Sequence, residues 1–280
     1  MRTFWIRSAS AVVYVILFLG TMYSGLWLEN PVAGNFIFGS FLLFVTIGCS
    51  YEFFRMMRLQ GACPSEYMGY FYAVLPLLLV MFLPLMGLRG FAVTLAAFTL
   101  FPALFALAAI LQLWHHGDQP FRDAAYTLVP LLYIALPLSL MMEVQGDHGT
   151  HVLFLLVALV WVNDSGAYIG GSLIGKHKMW VRHSPGKTWE GTAFGMAVAV
   201  ATAIFVGPLL SDIAWYHWLV LGFICSVVGT LGDLVESMLK RSVGVKDSGN
   251  VMPGHGGFLD RFDSLLVIMP FAYAYLTLVV

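Results

Sequence analysis

The chain has 280 residues, of which 60% are hydrophobic and only 10% charged, and its formal net charge is −1. A soluble domain carries about 25% charged residues, so a soluble fold is excluded and the chain reads as a membrane protein. The balance of charge says nothing about partners by itself, and no nucleic-acid partner is expected. Cys49, Cys63 and Cys225 are scattered thiols without metal-ligand spacing. They read as small buried hydrophobes, and no disulfide framework is implied.

A spanning helix needs about 20 mostly apolar residues. In chain order the candidates are 9–28, 31–51, 68–87, 90–113, 124–142, 151–171, 190–210, 216–238 and 263–280. These runs are too long and too uniformly apolar for barrel strands. The expected fold class is therefore an all-α polytopic membrane protein with about nine transmembrane helices. The first span follows Arg2 and Arg7 as a secretory signal would, but its length and the spans behind it predict a retained helix. Alternating the sides through nine spans puts every Lys and Arg except Arg89 on the side of the N-terminus. The positive-inside rule makes that side cytoplasmic and the C-terminus external. The loops 172–189 and 239–262 then share the cytoplasmic face of a bacterial-type inner membrane.

The first half, 1–150, reads as scaffold and as a lipid or dimer surface. Pro76, Pro84, Pro102, Pro130 and Pro137 interrupt its spans and predict kinks. Glu52, Arg55 and Arg58 read as a snorkelling boundary at a membrane edge. His115, His116 and Asp118 read as a solvated loop, and so do Asp147, His148 and His151.

The second half, 151–280, carries the catalytic loops. Asp164 lies inside a span, where an ionisable group is a functional candidate by default. Gly166, Gly170, Gly171 and Gly175 follow at small-xxx-small spacing, which predicts close helix packing. Gly170 to Lys176 spells G-x-x-x-x-G-K, but His177 stands where Ser or Thr would hold Mg²⁺. Gly186-Lys187-Thr188 has the correct end, but Val181 stands where the first Gly belongs. Neither is expected in a strand–loop–helix unit, so a P-loop is rejected. Asp233, Glu236 and Ser237 share one face at the end of span 216–238. Asp260 and Asp263 repeat the i, i+3 spacing where the last span begins. Helix-start placement alone would favour those two; set beside Asp233 they predict a cation site. Glu236 has Lys240 as an i+4 partner.

Between the last two spans, Ser237 to Asp263 concentrates Lys240, Arg241, Lys246 and Arg261 with Asp247, Asp260 and Asp263. The basic groups suit a nucleotide phosphate chain, and the carboxylates suit Mg²⁺. Pro253-Gly254-His255-Gly256-Gly257 is too glycine-rich for a helix and lets a backbone approach phosphate oxygens.

This stretch resembles the signature of the phosphatidate cytidylyltransferases, the CDP-diacylglycerol synthases. The matching positions are Ser237, Leu239, Lys240, Arg241, Lys246, Asp247, Gly249, Pro253, His255, Gly256, Gly257, Phe258, Asp260, Arg261, Phe262 and Asp263. Met252 departs by a volume-conserving swap. The segments Asp164–Tyr168 and Ser184–Gly191 resemble the same family, with Ser172 standing where an Arg is common. The likeness covers about residues 160–265.

The resemblance implies transfer of a cytidylyl group from CTP to phosphatidate, giving CDP-diacylglycerol and pyrophosphate. It implies Mg²⁺ on Asp233 and Asp260, with Asp263 beside them and a second cation left open. Lys240 and Lys246 join Asp233 and Asp260 as the catalytic set. Asp164, Ser184, Lys187, Thr188, Glu190, Arg241, Asp247, His255, Gly256, Gly257 and Arg261 form the substrate-binding set. An ionised phosphate monoester has no proton to lose, so His255 is as well suited to ordering the loop or hydrogen-bonding a phosphate as to acid–base work. The expected partners are CTP, phosphatidate and membrane lipid. Gly166, Gly170, Gly191 and Gly195 permit a homodimer without requiring one. Two other readings use similar parts: a CTP-dependent lipid-alcohol kinase, and an ion-coupled transporter with Asp164 and Asp233 along its pathway.

Overall fold

The computed structural model describes residues 2–87, 103–114, 118–249 and 256–280, with side chains from residue 12 onward. The chain folds into two compact units. One comprises Met1–Glu143 with Asp247–Arg261, and the other Val144–Lys246 with Phe262–Val280. The division of labour expected at residue 150 is one of function rather than of packing, and it remains a proposal.

Apolar runs dictate the helices. In the first unit these are α1 (Arg2–Met22), α2 (Pro31–Leu59), α3 (Glu66–Phe82) and α4 (Ala103–Trp114), followed by α5 (Pro120–His148) as far as Glu143. Asn30 caps α2 by accepting from the Ala33 amide at 3.1 Å, and Pro31 occupies the first helical position, where its missing N–H costs nothing. Arg58 near the end of α2 pairs with Glu66 at the start of α3. Pro130 opens a π-turn over Pro130–Ala135 inside α5, because it has no N–H to donate to the helix ladder. Phe18, Phe38, Leu42, Phe53, Phe54, Tyr72 and Leu77 are among the buried core side chains of this unit.

The second unit holds α6 (Thr150–Ile174), a two-stranded antiparallel hairpin, α7 (Trp189–Leu210), α8 (Trp215–Ser242) and α9 (Leu259–Val279) from Phe262 onward. The hairpin pairs β1 (Lys178–Trp180) with β2 (Ser184–Thr188), Lys178 opposite Thr188 and Trp180 opposite Ser184. It occupies the stretch read from the sequence as an irregular loop. β2 runs directly into α7 with no loop between, so the geometry of a P-loop is absent there. Gly166 on α6 packs against Gly195 on α7, Gly170 against Phe194, and Gly191 against Gly171. The glycines expected to permit a dimer are thus used within the chain.

Among the described residues, seven helices are long and apolar enough to cross a membrane, and two shorter apolar helices, Val12–Met22 and Ala103–Trp114, accompany them. The expected span 90–113 lies partly outside the described residues, as do Arg89, His115 and His116. Ile16, Phe44, Phe205 and Leu209 are exposed. Outward apolar side chains on long helices are what a lipid solvent favours. The chain is an all-α polytopic integral membrane protein.

Candidate active site

Three helices and one strand of the second unit converge on a polar cluster. Gly232 lies where α8 crosses α9: a Cβ there would stand 3.1 Å from the Asp263 carbonyl oxygen, the Ser264 Cα and the Val267 Cβ. A Cβ would push those neighbours back by a few tenths of an ångström; the bare Cα allows the approach that brings the next residue, Asp233, to Asp263. One carboxylate oxygen from each of Asp233, Glu236 and Asp263 lies within 4.8 Å of the others. Two unit charges at that separation repel by about 3–4 kcal/mol at an effective dielectric near 20, so compensation is required.

Two lysines supply it. Lys187 Nζ on β2 lies 2.8 Å from Asp233 Oδ2 and donates to the Thr230 carbonyl at 3.2 Å. Lys240 pairs with the fully buried Glu236 one turn back, so the i+4 partner expected from the sequence is realised. Ser237 Oγ donates to Asp233 Oδ1 at 3.2 Å, which confirms the shared face of Asp233, Glu236 and Ser237. Asp164 on α6 is exposed and lies within electrostatic reach of Lys187 and Asp233. Its neighbour Asn163 is buried and donates from Nδ2 to Asp164 Oδ1 and Thr230 Oγ1, both at 3.4 Å.

Other residues of the Ser184–Gly191 segment contact the neighbouring backbone. Thr188 is buried and caps α7 through its hydroxyl, which accepts from the Gly191 amide at 3.2 Å. Glu190 accepts from the amides of Lys176 and His177 and contacts the His177 ring, so it ties down the turn that leads into β1. Ser184 begins β2 opposite Trp180. Arg241 and Lys246 are exposed, and Arg241 Nη1 donates to the Val245 carbonyl at 3.1 Å.

The signature continues in the first unit with Asp247, Gly256, Gly257, Asp260 and Arg261; Asp247 and Arg261 are exposed. His255 and the rest of 250–255 lie outside the described residues. Asp260 Oδ2 accepts from the Gly257 amide at 2.8 Å, the Ser248 amide at 3.1 Å and Ser248 Oγ at 3.0 Å. Asp260 stands in the first turn of α9, and its carboxylate is drawn back onto the preceding loop. Gly256 has φ +79°, and a Cβ there would lie 2.5 Å from Asp260 Oδ2. Glycine is required on both counts.

Glu52 is the residue that sequence reasoning missed. It is fully buried and accepts from Ser248 Oγ at 2.7 Å, the Phe258 amide at 2.9 Å and the Leu259 amide at 3.0 Å. The snorkelling assignment fails because a boundary side chain reaches water, whereas this one is satisfied internally. The signal was present: an acid flanked by apolar residues in a spanning run is a functional candidate by default.

Fold and site together define a polytopic helical membrane protein with a carboxylate cluster, offering oxygen ligands of the kind a hard divalent cation takes, beside lysines suited to phosphate. The chain belongs to the cytidylyltransferase family, which it matches over residues 5–279. It is 42% identical over 161 residues to a phosphatidate cytidylyltransferase of Bacillus subtilis (strain 168), covering 56% of this chain and 60% of that protein. The phosphatidate cytidylyltransferase of Staphylococcus aureus (strain COL) is 42% identical over 156 residues, covering 54% of this chain and 58% of the relative. That of Staphylococcus saprophyticus is 42% identical over 151 residues, with the same shares. The chain thus spans less than two thirds of the length of these curated relatives.

Proposed function

We propose that this protein is a phosphatidate cytidylyltransferase. The observation that carries the reading is the Asp233–Glu236–Asp263 carboxylate cluster with Lys187 and Lys240 seated on it. Family membership and the curated relatives support it. An oxygen of the phosphatidate phosphate attacks the α-phosphorus of CTP. The bond from that phosphorus to the β-bridging oxygen breaks, and pyrophosphate leaves.

Both reactants are anions, so the chain's work is positioning and neutralisation. Lys187, Lys240, Arg241 and Lys246 hold the phosphates of CTP and of the lipid. Asp164, Ser184, Thr188, Glu190, Asp247, Arg261 and the glycines at 256 and 257 join the substrate-binding set, with His255 ordering the loop or donating to phosphate. Asp233 and Asp263 are the ligands proposed for Mg²⁺, and Asp260 keeps the ligand role that the family resemblance implies for it. The all-oxygen donor set fits that ion. A bound Mg²⁺ supplies neutralising charge to phosphate oxygens. The acyl chains remain in the bilayer.

The distribution of Lys and Arg supports nine spans, a cytoplasmic N-terminus and a site open to cytosolic CTP in a bacterial-type plasma membrane. The decisive experiment supplies purified protein in detergent with CTP, phosphatidate and Mg²⁺ and follows pyrophosphate, omitting each component in turn. Pyrophosphate that requires all three sustains the proposal. Release of CDP with a phosphorylated lipid alcohol would replace it with the kinase, and flux into liposomes without CTP consumption would replace it with the transporter.

A further inference from the structure

Glu52 is fully buried and so gives up its hydration. Burying a carboxylate is costly unless donors replace the lost water. All three donors it has gained come from the segment that also carries Asp260. Oε1 takes the Phe258 amide, while Oε2 takes the Leu259 amide and Ser248 Oγ. Ser248 also reaches Asp260 Oδ2 through its amide and its hydroxyl. Ser248 therefore stands between the two carboxylates, and the backbone entering α9 is held from both sides.

The same face of α2 grips the segment by packing. Phe44, Gly48 and Glu52 follow at i, i+4 and i+8 and so lie on one helix face. The Phe258 ring meets Phe44 edge-on at 5.3 Å and lies over Gly48, where a Cβ would collide with it. Gly257 has no side chain because a Cβ there would strike the Glu52 carboxylate and Ser248 Oγ. Sequence composition does not account for these features; a carboxylate that must receive two consecutive amides does.

We propose that Glu52 is a positioning residue for Asp260: its buried carboxylate fixes the backbone at Phe258 and Leu259 and, through Ser248, the carboxylate of Asp260. The inference rests on the proposed function for its catalytic consequence, but not for the clamp itself. Both oxygens of Glu52 are in use, so an amide cannot replace it. In Glu52→Gln the NH₂ group faces a backbone N–H, that of Phe258 or of Leu259, whichever way the amide turns.

The test compares wild type, Glu52→Gln and Ser248→Ala in detergent, each checked for monodispersity and thermal midpoint. Pyrophosphate release is measured against Mg²⁺ and CTP, and hydrogen exchange is followed over 256–262. Glu52→Gln is expected to lower kcat on the order of a hundredfold, the scale of an ångström-sized misplacement. The Mg²⁺ concentration for half-activity should rise, KM for CTP should move less than kcat, and exchange should quicken at 257–259. Ser248→Ala, which leaves the amide bonds intact, should cost about ten- to thirtyfold, the lower end of the worth of one hydrogen bond to a charged group.

The proposal is overturned if Glu52→Gln keeps kcat and the Mg²⁺ profile within twofold. It is equally overturned if activity merely follows the folded fraction while exchange rises throughout the first unit, because that marks a structural role. Should Glu52→Gln not fold, an unchanged Mg²⁺ profile in Ser248→Ala overturns it and a raised half-activity concentration sustains it. If the wild-type protein releases no pyrophosphate, the proposed function has failed. Exchange at 257–259 then decides the clamp alone: faster in Glu52→Gln sustains it, unchanged overturns it.

Discussion

Lys187 and Asp233 form an ion pair, Nζ to Oδ2 at 2.8 Å, that joins a hairpin strand to the end of a spanning helix. Both side chains are partly buried, so the pair is less screened than one on an open surface. A lysine that neutralises a carboxylate in this way is also the group nearest to any phosphate brought to it. Lys187 compensates Asp233, and under the proposed function it also receives an anion.

Asp233→Asn and Asp263→Asn should each lower turnover by about a hundredfold or more, the scale of a single electrostatic group in an active site. Pyrophosphate release at saturating CTP is the measurement. Near-normal rates in both variants would remove the metal assignment.

Lys187→Met removes the compensating charge and, under the proposed function, the phosphate contact. Alone it should reduce kcat/KM for CTP by roughly a hundredfold. Combined with Asp233→Asn, its additional cost should be much smaller than the sum, because paired residues couple. Additive losses in the double-mutant cycle would mean that the ion pair has no part in the reaction.

Chelation of divalent cations should abolish turnover and leave the helical content unchanged, since Lys187 pairs with Asp233 and Lys240 with Glu236 and the helices are built from apolar runs. Activity should return with Mg²⁺ and not with Na⁺. Circular dichroism beside the pyrophosphate assay checks both halves.

Thr188→Ala should lower the thermal stability of the purified protein by the equivalent of about 1 kcal/mol, the usual cost of losing a helix cap. Thr188→Ser should restore it. Because the hydroxyl accepts from the Gly191 amide, KM for CTP should change less than twofold in either variant. A large rise in KM with unchanged stability would put Thr188 in direct substrate contact.

Gly232→Val should place a branched side chain against Asp263, Ser264 and Val267, where a Cβ alone already stands at 3.1 Å. Overpacking of this kind costs about 1–3 kcal/mol. Turnover should fall by more than the loss of folded protein explains, since Asp233 and Asp263 are pushed apart. Equal losses of activity and folded fraction would reduce Gly232 to a packing position.

The sequence by itself determined the class, most of the spans and the lysines and carboxylates of the second unit. Long apolar runs can only be helices in lipid, and Asp233, Glu236, Ser237 and Lys240 share a face by helical periodicity alone. That arithmetic is local and needs no partner. What only the tertiary structure decided depends on residues far apart in the chain. Glu52 looked like a boundary acid until Ser248, Phe258 and Leu259 were brought to it. The hydroxyl of Thr188 and the carboxylate of Glu190 turned inward to backbone amides. Gly166 and Gly195 met each other across two helices of the same chain. A hydrogen bond or a close helix crossing is fixed by where the second partner lands. Composition and spacing carry no record of that position.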